Sequence, residues 1–254
     1  MILDSFKLDE KVALVTGAGQ GLGQGMVIAL AEAGADVAGL DRDLSMATAE
    51  SVHTLGRRYQ EIVCDLRQAS VVELDKVVGQ VVDELGRLDI LVNNAGIIRR
   101  APAIDFTEAD WDDVLYINLR AVFFLCQAAG KVMVAQGHGK IINIASMLSF
   151  QGGIAVSSYT AAKSGVAGIT RALANEWAKH GVNVNAIAPG YMATENTAAL
   201  RADPNRAPAI LERIPVGRWG TPNDLKGAVV FLASAASDYM EGAIIPVDGG
   251  WLTR

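Results

Sequence analysis

Cysteine is nearly absent from this chain: Cys64 and Cys126 are the only two in 254 residues. Both lie in apolar stretches without metal-type spacing, so they read as reduced core thiols of a cytoplasmic protein rather than a disulfide framework. Histidine is equally sparse. His53, His138 and His180 stand alone, and no metal site is expected. Aromatic residues reach only 6%. No basic stripe offsets the net charge of −6, which argues against nucleic acid as a partner. No run looks long and apolar enough to span a bilayer, so no membrane partner is expected. The acidic start (Asp4, Asp9, Glu10) does not fit a signal peptide.

What is abundant is hydrophobic residue, 51% of the chain, with Ala and Gly prominent. That composition suits helices packed closely on a sheet. The length fits one large α/β domain. Strands are expected at Lys11–Thr16, Asp36–Leu40, Gln60–Cys64, Leu88–Val92, Lys140–Ala145, Val182–Ala188 and Ala243–Val247. Helices are expected at Leu22–Ala33, Met46–Arg57, Ser70–Leu85, Glu108–Ala135, Ser158–Lys179 and Pro222–Ala233. The strands are almost continuously apolar, as in a parallel sheet covered on both faces. The alternation predicts a single doubly wound, Rossmann-type α/β sheet of about seven strands. Residues Gly190–Arg218 form the least regular stretch and read as a lid.

Between the first strand and first helix lies Thr16-Gly17-Ala18-Gly19-Gln20-Gly21-Leu22-Gly23. A diphosphate needs bare backbone N–H donors, a helix N-terminus and no Cβ in the way, and such a turn offers all three. The spacing is T-G-x-x-x-G-x-G. Gly17, Gln20, Gly21, Leu22 and Gly23 are therefore candidate cofactor residues. Asp41 closes the second strand where a carboxylate can grip an adenosine ribose and repel a 2′-phosphate, which predicts NAD. Arg42 beside it carries the opposite reading, a guanidinium for that phosphate.

Tyr159 and Lys163 lie four apart on one helix face. Alone, that pair is also compatible with a helix surface. Ser146, however, follows the strand Lys140–Ala145, at the sheet end where open α/β folds bind ligands. Asn93-Asn94-Ala95-Gly96 ends the fourth strand in the same way. A phenol is too weakly acidic to serve as a base near neutrality, and a neighbouring ammonium can lower its pKa.

Taken together, the glycine turn, Asp65, Asn93–Gly96, Asn118, Ser146, Tyr159/Lys163 and Pro189-Gly190 resemble the short-chain dehydrogenase/reductase family along the whole chain. The resemblance implies hydride transfer between a nicotinamide cofactor and an alcohol or ketone. Tyr159 would be the acid/base, Ser146 would donate to the substrate oxygen, and Lys163 would hold the nicotinamide ribose. Asn118 would keep a relay water. Asp65 and Leu66 would flank the adenine, Asn93, Ala95 and Gly96 would line the cofactor cleft, and Pro189, Gly190, Met192 and Thr194 would hold the nicotinamide end.

Within the family, the stretches Ile141–Gly153, Ala188–Thr194, Arg213–Gly220 and Val247–Leu252 are most similar to the 2-dehydro-3-deoxy-gluconate 5-dehydrogenases, also called 2-deoxy-gluconate 3-dehydrogenases. That likeness implies a six-carbon sugar acid of uronate or pectin catabolism. Its carboxylate needs a cation and its hydroxyls need polar partners. Arg99 and Arg100 are the candidate cations, with Arg201, Arg206 and Arg213 in reserve; Ser149 and Gln151 are the candidate polar contacts. Arg99 reads equally well as a structural ion pair, and Met192 and Trp219 as core. Alternatives are a gluconate 5-dehydrogenase, a 3-oxoacyl-thioester reductase or a non-catalytic NAD-binding sensor. A homotetramer is expected from the resemblance and from the small residues of the Ser158–Lys179 helix (Ala161, Ala162, Gly165, Ala167, Gly168 and Ala172).

Overall fold

Seven strands pair in parallel in the order β3-β2-β1-β4-β5-β6-β7 in a computed structural model that describes residues 1–254. They are β1 (Val12–Thr16), β2 (Asp36–Asp41), β3 (Tyr59–Val63), β4 (Ile90–Asn93), β5 (Gly139–Ile144), β6 (Val182–Pro189) and β7 (Ile244–Val247). The helices between them are α1 (Gly21–Glu32), α2 (Met46–Thr54), α3 (Val71–Leu85), α4 (Glu108–Leu115), α5 (Val122–Gln136), α6 (Ser157–Trp177), α7 (Ala198–Ala202), α8 (Arg206–Arg213) and α9 (Asn223–Ala233). The expected Rossmann-type sheet is thus observed, with most boundaries shifted by one or two residues.

Strand side chains alternate between two cores. Val12 and Leu14 of β1 join one cluster, with residues of α3, α5 and α6; Ala13 and Val15 join the other, with residues of α1 and α9. Both faces are therefore apolar, which explains the continuous apolar runs in the sequence. Local signals fix helix starts: Ser70 accepts from the Glu73 N–H, and Glu73 accepts from the Ser70 N–H, a capping box at the start of α3.

Three expectations are corrected. The helix expected over Glu108–Ala135 is interrupted by a π-helical turn at Tyr116–Ala121. The Asn118 amide in that turn is bonded at both ends to the Ile97 main chain, which draws it out of a regular helical register. The irregular Gly190–Arg218 stretch contains α7 and α8. Finally, the helical run Glu108–Gln136 does have the length and composition to cross a membrane. Here it lies against the sheet, with Leu125, Cys126, Ala129 and Met133 buried in the core.

Candidate active site

A cleft of about 1000 Å³ opens at the carboxyl ends of the strands and runs from the glycine turn to Trp251. At its phosphate end the main chain is crowded. A Cβ on Gly23 would lie 1.8 Å from the Gly17 carbonyl oxygen, and one on Gly17 would lie 2.8 Å from Asn94 Nδ2. Only glycine fits either position. The Gln20 side chain does not cap α1, so the first-turn N–H groups face the cleft without a side-chain acceptor. A dinucleotide diphosphate fits that cradle. Gln20, Gly21 and Leu22 also line it. The turn is buttressed by residues that sequence reasoning missed as functional. The Thr16 hydroxyl accepts from the N–H groups of Asn94 and Ala95, and the Thr48 hydroxyl donates to the Ala18 carbonyl.

At the ribose end Asp41 faces the protein as much as the cleft. Its two oxygens accept from the Gly19 N–H at 2.8 Å and the Arg42 N–H at 2.7 Å. The Arg42 guanidinium, 72% exposed, pairs with Asp43 at 2.9 Å, a surface contact that gives way easily. Asp65 and Leu66 line the next stretch of wall, with Ala95 and Gly96 opposite.

Ser146, Tyr159 and Lys163 meet in the middle of the cleft. Lys163 is 3% exposed and donates to the Ile144 carbonyl at 2.6 Å. Burial brings its pKa down to about 8. Its ammonium lies 5.6 Å from the Tyr159 ring centre. Burial pushes the Tyr159 phenol above its ordinary range, while the Ser146 hydroxyl and the Arg100 guanidinium pull it down. Lys163 also stands beside the phenol ring, and with a pKa of about 8 it carries its charge at neutral pH. Ser146 Oγ accepts from the Leu148 N–H at 3.1 Å.

Three expected site residues do not reach the cleft wall. Asn118 is fully buried, with its amide taken up by Ile97. Asn93 is turned into the core, donating to Asn143 and Cys126. The Ser149 hydroxyl donates to the Lys163 carbonyl at 2.7 Å, supporting the helix that carries the lysine.

Pro189, Gly190, Met192 and Thr194 border the cleft beyond Lys163. Met192 is both wall and core, whereas Trp219 packs edge-on against Tyr191 behind it. Arg99 and Arg100 both line the cleft but differ in employment. Arg99 pairs with Asp110 and Asp113, each at 3.2 Å. Arg100 meets no carboxylate and donates only to the Asn196 carbonyl. Arg206 and Arg213 stand on the same side without acidic partners, and Gln151 lies within 3.4 Å of Arg213.

Comparison with known proteins agrees with this layout. A family model described as enoyl-(acyl carrier protein) reductase matches residues 17–252. The chain is 59% identical over 255 residues to the 2-dehydro-3-deoxy-D-gluconate 5-dehydrogenase of Escherichia coli, covering 100% of both chains. It belongs to the short-chain dehydrogenase/reductase family. Among solved structures, one from Agrobacterium tumefaciens, assigned as a 2-deoxy-D-gluconate 3-dehydrogenase, is 53% identical with a TM-score of 0.92 and covers 99% of this chain and 100% of its own. A gluconate 5-dehydrogenase from Burkholderia cenocepacia, in complex with NADP and tartrate, is 39% identical with a TM-score of 0.95 over 100% of both chains. This family member is an NAD(P)-dependent oxidoreductase acting on a CH–OH group of a sugar acid related to 2-dehydro-3-deoxy-D-gluconate metabolism.

The expectation of NAD from Asp41 is overturned. Both of these solved relatives hold NADP. The physical reason lies in the turn: a carboxylate already accepting from Gly19 and Arg42 is a poor sentinel against a 2′-phosphate, and the Arg42 guanidinium beside it is suited to that phosphate. The sugar-acid assignment rests on the relatives and not on cofactor choice.

Proposed function

We propose that the chain interconverts a 2-dehydro-3-deoxy-D-gluconate-type sugar acid and its oxidised partner, with Tyr159 as acid/base. The observation that carries this reading is the meeting of Ser146, Tyr159 and Lys163 in a cleft whose far wall presents Arg100 without a carboxylate partner. When bound, the nicotinamide dinucleotide accepts or returns a hydride. In oxidation the Tyr159 phenolate takes the substrate hydroxyl proton as the C–H electron pair departs with its hydrogen, leaving the ketone. In reduction the phenol returns the proton to the forming alkoxide. Ser146 steadies the substrate oxygen, and Lys163 reaches the nicotinamide ribose. Asn118, its side-chain amide engaged by Ile97, would hold the relay water.

Arg100 is proposed as the anchor for the substrate carboxylate, backed by Gln151; Arg99 is assigned to the α4 acids instead. A carboxylate enclosed without a cation would be costly, so an unpaired guanidinium suits it. Tartrate, bound by the Burkholderia cenocepacia relative, is itself a hydroxy acid. Residues 190–218 serve as the substrate lid of a single domain. The same reading includes a cytoplasmic homotetramer. In α6, Ala162 and Ala167 are buried, while Gly168 and Ala172 face outward, and nothing lies within 4 Å of where a Cβ on Gly168 would sit. That small-residue face suits close approach of a second copy.

The deciding experiment follows nicotinamide absorbance over a panel of aldonic, deoxy-aldonic and keto-deoxy acids, with both dinucleotides. Turnover concentrated on the deoxy or keto-deoxy acids supports the assignment; turnover confined to gluconate favours the gluconate 5-dehydrogenase reading. A monomer by light scattering at micromolar concentration would rule out the tetramer.

A further inference from the structure

The segment after β7 makes contacts that neither the glycine turn nor the Ser146–Tyr159–Lys163 group requires. Asp248 accepts from the N–H groups of Gly250 and Leu252, each at 2.9 Å, which turns the chain back toward α8. Trp251, 4% exposed, then packs with Leu200, Ile210 and Ile214. The Arg213 guanidinium lies 4.0 Å above its ring. Three residues further on, Arg254 donates to the carbonyls of Glu212 at 2.8 Å and Arg213 at 3.3 Å. These are the last two carbonyls of α8. In return Arg213 reaches the main-chain oxygen of Arg254 at 3.4 Å.

We infer that Arg254 is a positioning residue for the substrate wall: by capping α8 it sets where Arg206, Ile210 and Arg213 stand along the cleft. The inference rests on the reading of α8 as the border of the substrate site. α8 is eight residues long; at its start the Asp203 carboxylate accepts from the N–H groups of Asn205 and Arg206, which leaves its far end to the residues after β7. A helix of two turns has little stability of its own and keeps its shape through what it docks on. The final carbonyls of any helix lack partners within it, and a cation there also complements the helix dipole. A guanidinium can satisfy two carbonyls at once, which the point charge of lysine does less well. The stacking of Arg213 on Trp251 fixes the other side of the same helix end. The C-terminal residues thus hold two cleft-lining arginines from behind, and Arg254 itself does not line the cleft.

The test uses the full chain carrying Arg254→Ala or Arg254→Lys. Four quantities are measured: hydrogen exchange at the amides of α8, KM and kcat for 2-dehydro-3-deoxy-D-gluconate, and the NADPH dissociation constant by fluorescence. Arg254→Ala is expected to quicken α8 exchange and raise KM roughly five- to twenty-fold, the scale of a misplaced binding group. NADPH affinity should be unchanged, and Arg254→Lys should fall between the two. Wild-type exchange at α8 in the alanine variant overturns the cap, whatever the substrate proves to be. Faster exchange with an unchanged KM overturns the positioning role. Exchange does not depend on substrate identity, so failure of the sugar-acid assignment is separately visible.

Discussion

Arg99 and Arg100 adjoin in sequence and line one cleft, yet Arg99 is held by Asp110 and Asp113 while Arg100 has no acidic partner. The two should respond differently to removal. Arg100→Ala should raise KM for the sugar acid about ten- to a hundred-fold, the range for a charge-assisted bond, with far less effect on a neutral polyol. Arg99→Ala should cost about 1 kcal/mol of stability or less, because its ion pairs are partly exposed, and should show no acid-selective defect. Equal losses on both substrates for Arg100→Ala would remove it from the anchoring role.

Gly23→Ala tests the phosphate cradle. The added methyl would overlap the Gly17 carbonyl, so the turn must open or α1 must shift. Overpacking of this kind costs about 1–3 kcal/mol, and the displaced N–H groups should weaken NADPH binding as well. Thermal melts and fluorescence titration read the two effects. A variant that matches wild type in both would mean the turn is more pliable than its geometry indicates.

What was legible in the sequence was local. The glycine turn, Ser146 at a strand end and the Tyr159/Lys163 spacing each depend on residues close together along the chain, and all line the cleft. What was hidden depends on distant partners. Nothing near Arg99 announces that α4 will offer it two carboxylates. Nothing near Asn118 tells that its amide will be occupied by Ile97, and a single extra residue in a helical turn leaves the hydrophobic periodicity almost unchanged. Asp41 follows the same rule: its place at the end of β2 shows in the sequence, but its hydrogen bonds to Gly19 and Arg42 do not.

Arg42→Ala should shift cofactor choice. If the guanidinium leaves Asp43 to meet a 2′-phosphate, its loss should lower kcat/KM for NADP relative to NAD by about ten- to a hundred-fold. Both cofactors must be assayed at the same ionic strength, since exposed charges are screened. An unchanged ratio would place the phosphate elsewhere.

Tyr159→Phe should reduce turnover by about 10²–10⁴-fold while NADPH still binds, the usual worth of a positioned proton donor. Burial holds the wild-type phenol protonated around neutrality. Accordingly kcat/KM for alcohol oxidation should rise with pH as the phenolate forms, and for ketone reduction it should fall. A flat pH profile in both directions would separate Tyr159 from the proton transfer.

Lys163→Met tests the electrostatic strain of the site in the absence of ligands. Lys163 is 3% exposed, with its pKa lowered from 10.5 to about 8 by burial. Between those two values the unfolded chain holds a proton that the folded chain has lost, so wild-type stability should rise with pH across that interval. Below about 8 the folded protein carries a buried ammonium, with the Ile144 carbonyl its one hydrogen-bond acceptor. The shift corresponds to a cost on the order of 3 kcal/mol, reached when the lysine is charged in both states. Methionine keeps the length and removes the charge, so Lys163→Met should be inactive yet more stable than wild type at pH 7, by up to that amount less the lost hydrogen bond. The advantage should shrink from pH 8 to 10.5 as the wild-type lysine becomes neutral when folded. Denaturant melts of both proteins at pH 7, 8, 9 and 10 measure the difference. A variant less stable than wild type at pH 7 would show that the ammonium is compensated in the folded chain, and a difference that does not change with pH would show that its proton is not the cause.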